Sequence, residues 1–210
     1  MNPDIFLTKL LDISLPQVFN PYTDKCDIVD MANAPQIRVN NLLSYLHATE
    51  GVVDSIWFAR DLGYRGGRRT GLALTDEYHL HLMSEQYLGA FAHQATKGPL
   101  VKERTASIIW GKLEKIPNPP FLWNIFPFHP YENNDPFSNR CHTKAERKAC
   151  TSIIEELIDW LQPKQIVAIG NDAYKGLTSL GITCEYVRHP SYGGQSDFEK
   201  GISKIYGLSD

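Results

Sequence analysis

The chain has 210 residues, 42% of them hydrophobic and 21% charged, with a formal net charge of -3. That length suits one domain with its own core, and the composition excludes a disordered tail, a coiled coil and a collagen-like repeat. The charge exerts no global pull toward nucleic acid, which leaves any anion binding to a local basic patch.

The opening segment, MNPDIFLTKLLDISL, carries Asp4, Lys9 and Asp12. A signal peptide needs a basic flank and then an unbroken apolar run there, and no segment reaches the roughly 18 consecutive apolar residues of a membrane helix. The expectation is a cytoplasmic protein with no membrane partner. Cys26, Cys141, Cys150 and Cys184 lie far apart without a C-x-x-C pair, so they read as reduced thiols rather than a zinc ribbon or a dense disulfide framework.

Residues 1–50 read as a partly helical extension, and residues 51–210 as the domain that carries the chemistry. Four short apolar segments rich in β-formers follow: Val52 to Ala59, Phe121 to Phe126, Gln165 to Gly170 and Thr183 to Arg188. Ahead of the third, Ala149, Ile153, Leu157 and Trp160 or Leu161 recur at helical spacing and predict one helix from Lys144 to Leu161, with Pro163 just beyond. A second helix fits Asp172 to Leu180, closed by Gly181. Strands alternating with helices indicate a parallel sheet covered on its faces. Ligands of such sheets bind at the carboxyl ends of the strands, so the segments just after them are the places to look for a site.

After the first strand, Arg60 to Leu72 interleaves Gly63, Gly66, Gly67 and Gly71 with Arg60, Arg65, Arg68 and Arg69. Such a flexible, cationic loop lets backbone approach an anion and lets guanidinium groups pair with phosphate, although a solvated turn has the same composition. It is neither a Walker loop nor a dinucleotide fingerprint. Asp61 stands among these cations, either to neutralise an arginine or to polarise water and stabilise a developing positive charge. Asn124, inside the apolar run Phe121 to Phe126, must satisfy an amide that both donates and accepts, by bonding a neighbouring loop or by reading the edge of a base. Past the fourth strand, Arg188-His189-Pro190-Ser191-Tyr192-Gly193-Gly194 sets a polarisable donor and an aromatic beside the other two loops.

Together these segments resemble the uracil-DNA glycosylase superfamily. Asp61, Gly67 and the Gly71-Leu72 pair match its first motif, Asn124 its strand asparagine, and His189-Pro190-Ser191 its second motif. The order of Asn124, the loop to Pro136, the helix and the strand ending at Gly170 is similar to that of the iron-sulfur branches. The resemblance runs from about Val52 to Phe198. It departs from the family at Leu62 and Gly63, where proline and tyrosine are usual, at Leu74, where a phenylalanine stacks on the base, and at Gly193, in place of a wedge leucine. Phe128 replaces a cluster cysteine and the early cysteine pair is missing, so no iron-sulfur cluster is expected.

The resemblance implies a three-layer αβα fold around a mainly parallel four-stranded sheet, acting as a monomer on DNA without metal or organic cofactor. It implies a monofunctional glycosylase that excises uracil or a C5-modified pyrimidine, in repair or in defence against phage DNA, near the nucleoid. Asp61 and His189 would be catalytic. Asn124, Gly63 and Leu74 would hold the base, while Arg65, Arg68, Arg69, Ser191 and Tyr192 would contact DNA. A non-catalytic nucleic-acid-binding module and a hydrolase of free nucleotides are the alternative readings.

Overall fold

A computed structural model of the chain describes residues 2–133 and 135–208. In chain order the elements are α1 (Pro3–Leu11), β1 (Val18–Phe19), α2 (Ala34–Thr49), β2 (Ser55–Ala59), α3 (Gly67–Thr70), a 3-10 turn (Glu77–Leu82) and α4 (Met83–Gln86). Then follow α5 (Arg104–Leu113), β3 (Phe121–Asn124), β4 (His129–Pro130), α6 (Lys144–Ala149), α7 (Thr151–Leu161), β5 (Gln165–Ile169), α8 (Asn171–Thr178), β6 (Glu185–Val187) and α9 (Gln195–Tyr206).

The sheet runs β3-β2-β5-β6 with every pair parallel. Side chains alternate across it, and each face is buried under helices. On one face Phe121 stacks on Tyr45 of α2 with centroids 4.6 Å apart, and Trp123 packs against Phe6 of α1 at 5.7 Å. On the other, Trp57 meets Phe198 and Tyr206 of α9 edge to face, and its indole N–H donates to the Tyr206 hydroxyl at 2.8 Å. The result is the expected three-layer αβα arrangement.

The helix expected from Lys144 to Leu161 is two. α6 starts at a capping box of Thr143 and Glu146 and buries none of its residues, whereas α7 buries Ile153, Ile154, Leu157 and Leu161. Buried Cys150 sits between them at φ -105°, ψ 5°, and this bend lets α7 face the core while α6 stays at the surface. Each strand is also shorter than its apolar run, because its flanking residues lie in loops outside the ladder.

The first fifty residues share the core. Phe6, Leu10, Leu42, Tyr45 and Leu46 are buried with the sheet residues. β1 pairs antiparallel with β4, setting Val18 opposite Pro130 and Phe19 opposite His129. Among the described residues no helix is long and apolar enough to cross a membrane.

Candidate active site

Parallel register sets the site. Ala59 lies beside Asn124, and Ile169 beside Val187, so the segments that leave β2, β3, β5 and β6 emerge along one edge of the sheet. That edge gathers Asp61, Asn124 and His189 from three separate stretches of sequence.

Asn124 is the least satisfied polar group there. Only 1% of it is exposed, yet neither its Oδ1 nor its Nδ2 has a hydrogen-bond partner among the described residues. A desolvated amide without partners costs about 1–3 kcal/mol, so a side chain in this state is suited to an external group carrying both a donor and an acceptor.

His189 is fixed by its own loop. Its Nδ1 accepts the Ser191 N–H at 3.2 Å and lies 2.8 Å from Ser191 Oγ. The neutral ring therefore carries its proton on Nε2, which makes that atom a donor. Burial, helped by Arg60, lowers the His189 pKa to about 4, so the ring is neutral in ordinary buffers. Gly170 makes the placement possible: its φ is +90°, and a Cβ there would stand 3.1 Å from the Cβ of His189. The Ser191 hydroxyl also meets this imidazole.

Asp61 has both carboxylate oxygens engaged. Oδ2 accepts from Arg60 Nε at 2.6 Å, and Oδ1 accepts from Nδ1 of His142. The side chains of Asp61 and His142 are only 5% and 7% exposed. Sequence reasoning missed His142. It lies far along the loop between β4 and α6, and nothing local marks a histidine that will meet an aspartate 81 positions earlier.

The arginine loop proves anchored rather than flexible. Asn41 Nδ2 donates to the Thr70 carbonyl at 2.9 Å, the Tyr22 hydroxyl to that of Gly71 at 2.8 Å, and Arg38 Nε to that of Arg69 at 3.1 Å. Two of its arginines point inward, which corrects their assignment to phosphate. Arg69 pairs with Glu77 at 2.9 Å and donates to Thr96 at 2.6 Å. Arg68 is buried between the rings of Phe19 and Phe137, its guanidinium carbon 4.2 and 5.1 Å from their centroids. Arg65 stays exposed.

The solvent-facing cations lie elsewhere on the same edge. Beside the Asp61–His142 pair is a cleft lined by Arg60, Lys144, Arg147 and Lys175 together with Cys141, His142 and Asp172. Its basic residues come from three stretches of chain, so no single run in the sequence announces it.

Gly63 faces Glu103 and Asn139, whose Oε1 and Oδ1 would lie 3.6 and 4.0 Å from a Cβ at that position. Burial, reinforced by nearby Asp76, raises the pKa of Glu103. Leu74 is half-buried against the core and holds a left-handed backbone at φ 55°, an uncommon conformation for a bulky residue. Tyr192 is left-handed too, at φ 50°, and is 97% exposed. A large aromatic ring held fully in water gains nothing from the fold of its own chain.

Residues 69–205 match the family model described as the uracil DNA glycosylase superfamily. Among solved structures, the crystal structure of wild-type SMUG2 from Pedobacter heparinus superposes with a TM-score of 0.66 at 17% sequence identity, covering 98% of this chain and 97% of that one. No curated protein matches the sequence. The structural likeness establishes a common fold that includes the first fifty residues, which the family model does not reach.

Proposed function

This chain belongs to the uracil DNA glycosylase superfamily, whose members are DNA glycosylases, and from that membership and the site we propose that it excises a pyrimidine base from DNA by hydrolysis of the N-glycosidic bond. The observation that carries the reading is the buried, unpartnered amide of Asn124 on the same sheet edge as Asp61 and His189. A flipped pyrimidine offers the missing donor and acceptor on its edge.

The chemistry follows from the charges that develop. As the C1′–N bond lengthens the sugar becomes cationic and the base anionic. The negative Asp61 stabilises the sugar, and the Nε2–H of neutral His189 donates to the base oxygen that gathers charge. Leu74 packs on the base. Arg65 and the cations of the cleft beside Asp61 hold phosphates, and Tyr192 fills the space left in the stack. Product release leaves an abasic site with the strand unbroken.

Substrate choice rests on Gly63. A tyrosine at this place would fill the space against the C5 edge of a pyrimidine. Glycine leaves it open, bordered by the oxygens of Glu103 and Asn139, so the substrates include pyrimidines bulky at C5, as in modified phage DNA. The test is excision from oligonucleotides carrying uracil, 5-hydroxymethyluracil or 5-hydroxymethylcytosine, read by alkaline cleavage, with the matching free nucleotides as controls. Excision of a 5-substituted base, narrowed to uracil by Gly63→Tyr, is the expected result. Turnover of free nucleotides alone would replace the glycosylase reading with that of a nucleotide hydrolase.

A further inference from the structure

We propose that His142 is the general base that activates the attacking water, with Asp61 behind it as the residue that orients it; this rests on the glycosylase reading above. The geometry begins at Asp61. Its Oδ2 is held by Arg60 and its Oδ1 by His142, and the buried carboxylate has no oxygen left without a protein partner. A water could reach Asp61 only through the remaining lone pairs of these two engaged oxygens. In its neutral form His142, by contrast, donates through Nδ1 and keeps Nε2 as an unprotonated lone pair. The ring leans on Phe126, with centroids 5.4 Å apart at 37°, and lines the cationic cleft. Among the described residues its Nε2 has no hydrogen-bond partner.

The two histidines of the edge therefore have opposite tautomers. His142 presents a lone pair and His189 presents an N–H, and both neighbour Arg60. This division suits an acid and a base serving one bond. In the step itself, the C1′–N bond breaks and its electron pair leaves with the base, whose oxygen is stabilised by His189. The water oxygen bonds to C1′ while its proton passes to Nε2 of His142. The proton later leaves the imidazolium for the departing base or for solvent, so water and nucleotide balance against abasic site and free base.

Arg60, Lys144, Arg147, Lys175, Asp61 and Asp172 are the charged groups around this imidazole. Protonation of His189, whose pKa is about 4, would appear in the pH profile as a limb near that value.

The test uses the full-length protein and, from the three oligonucleotides above, the one it excises fastest. His142→Gln keeps a donor for Asp61 without a basic nitrogen, and His142→Ala leaves a hole. Each should lower the single-turnover rate by about a hundredfold or more while binding of an abasic-analogue oligonucleotide stays within about twofold. Added imidazole should restore His142→Ala. A His142→Gln variant at the natural rate would reduce the residue to a structural support and overturn the proposal. So would affinity that falls as far as rate, failure of imidazole to rescue folded His142→Ala, or a stable His142-dependent adduct with DNA, since the nucleophile would then not be water. Failure of the natural protein to excise any of the three bases would overturn the glycosylase reading itself, and this assignment with it.

Discussion

Ser191 holds His189 in one tautomer by giving its backbone N–H to Nδ1 at 3.2 Å, and that contact leaves the remaining chemistry of the ring to Nε2–H. His189→Ala should therefore lower single-turnover excision by a factor corresponding to about 3–4 kcal/mol, the usual effect of losing one preorganised donor. Affinity for an abasic-analogue oligonucleotide should change little.

Buried neutral histidines also set the acid stability. His129 and His189 each have a pKa lowered to about 4, mainly by burial. The unfolded chain takes up protons near the ordinary value of 6.5, so between about pH 6.5 and 4 it binds more protons than the folded chain. The stabilisation is fully present above pH 6.5 and is lost as pH falls through that window. Thermal melts from pH 7 to 4 should show a steady fall in Tm, made shallower by His129→Gln, which keeps a donor for the Ser138 carbonyl that His129 Nε2 meets at 2.8 Å.

Asn124 should show a trade between stability and activity. Replacing a buried amide without partners by an apolar group of similar shape removes its desolvation cost of about 1–3 kcal/mol. Asn124→Leu should raise Tm and lose excision by orders of magnitude. A lower Tm would mean that the amide is satisfied within the folded chain, and its role in base binding would fall.

The buried and exposed cations should separate cleanly. Arg69→Ala leaves Glu77 charged inside the protein and should cost about 3–5 kcal/mol of stability, visible as a shift in the denaturant midpoint. Lys175→Ala should leave the fold intact and weaken DNA binding uniformly across sequences, reducing the slope of log K against log salt by about 1. Equal stability losses in the two variants would contradict the packing described above.

Tyr192, 97% exposed, can be removed without touching the core. Tyr192→Ala should keep the natural Tm and lose about 1–3 kcal/mol in processing duplex DNA, the worth of one stacked aromatic. Loss on the duplex greater than on a single strand is the expected pattern, because a single strand needs no replacement for a displaced base.

The sequence by itself determined the layered fold and the polar groups at the strand ends. Apolar runs of strand length alternating with helical periodicity imply a parallel sheet, and a parallel sheet delivers its strand ends to one edge. Asp61, Asn124 and His189 were legible for that reason, as strand-end residues of the right chemical type. What only the tertiary structure decided was which partner each of them meets. Arg68 and Arg69 look like their neighbour Arg65 in the sequence, but Phe19, Phe137, Glu77 and Thr96 draw them inward. His142 carries no local mark, yet it completes Asp61. Periodicity is a property of neighbouring residues and survives in one dimension. Hydrogen-bond partnership and burial depend on segments far apart in the chain, and those distances exist only after the chain has folded.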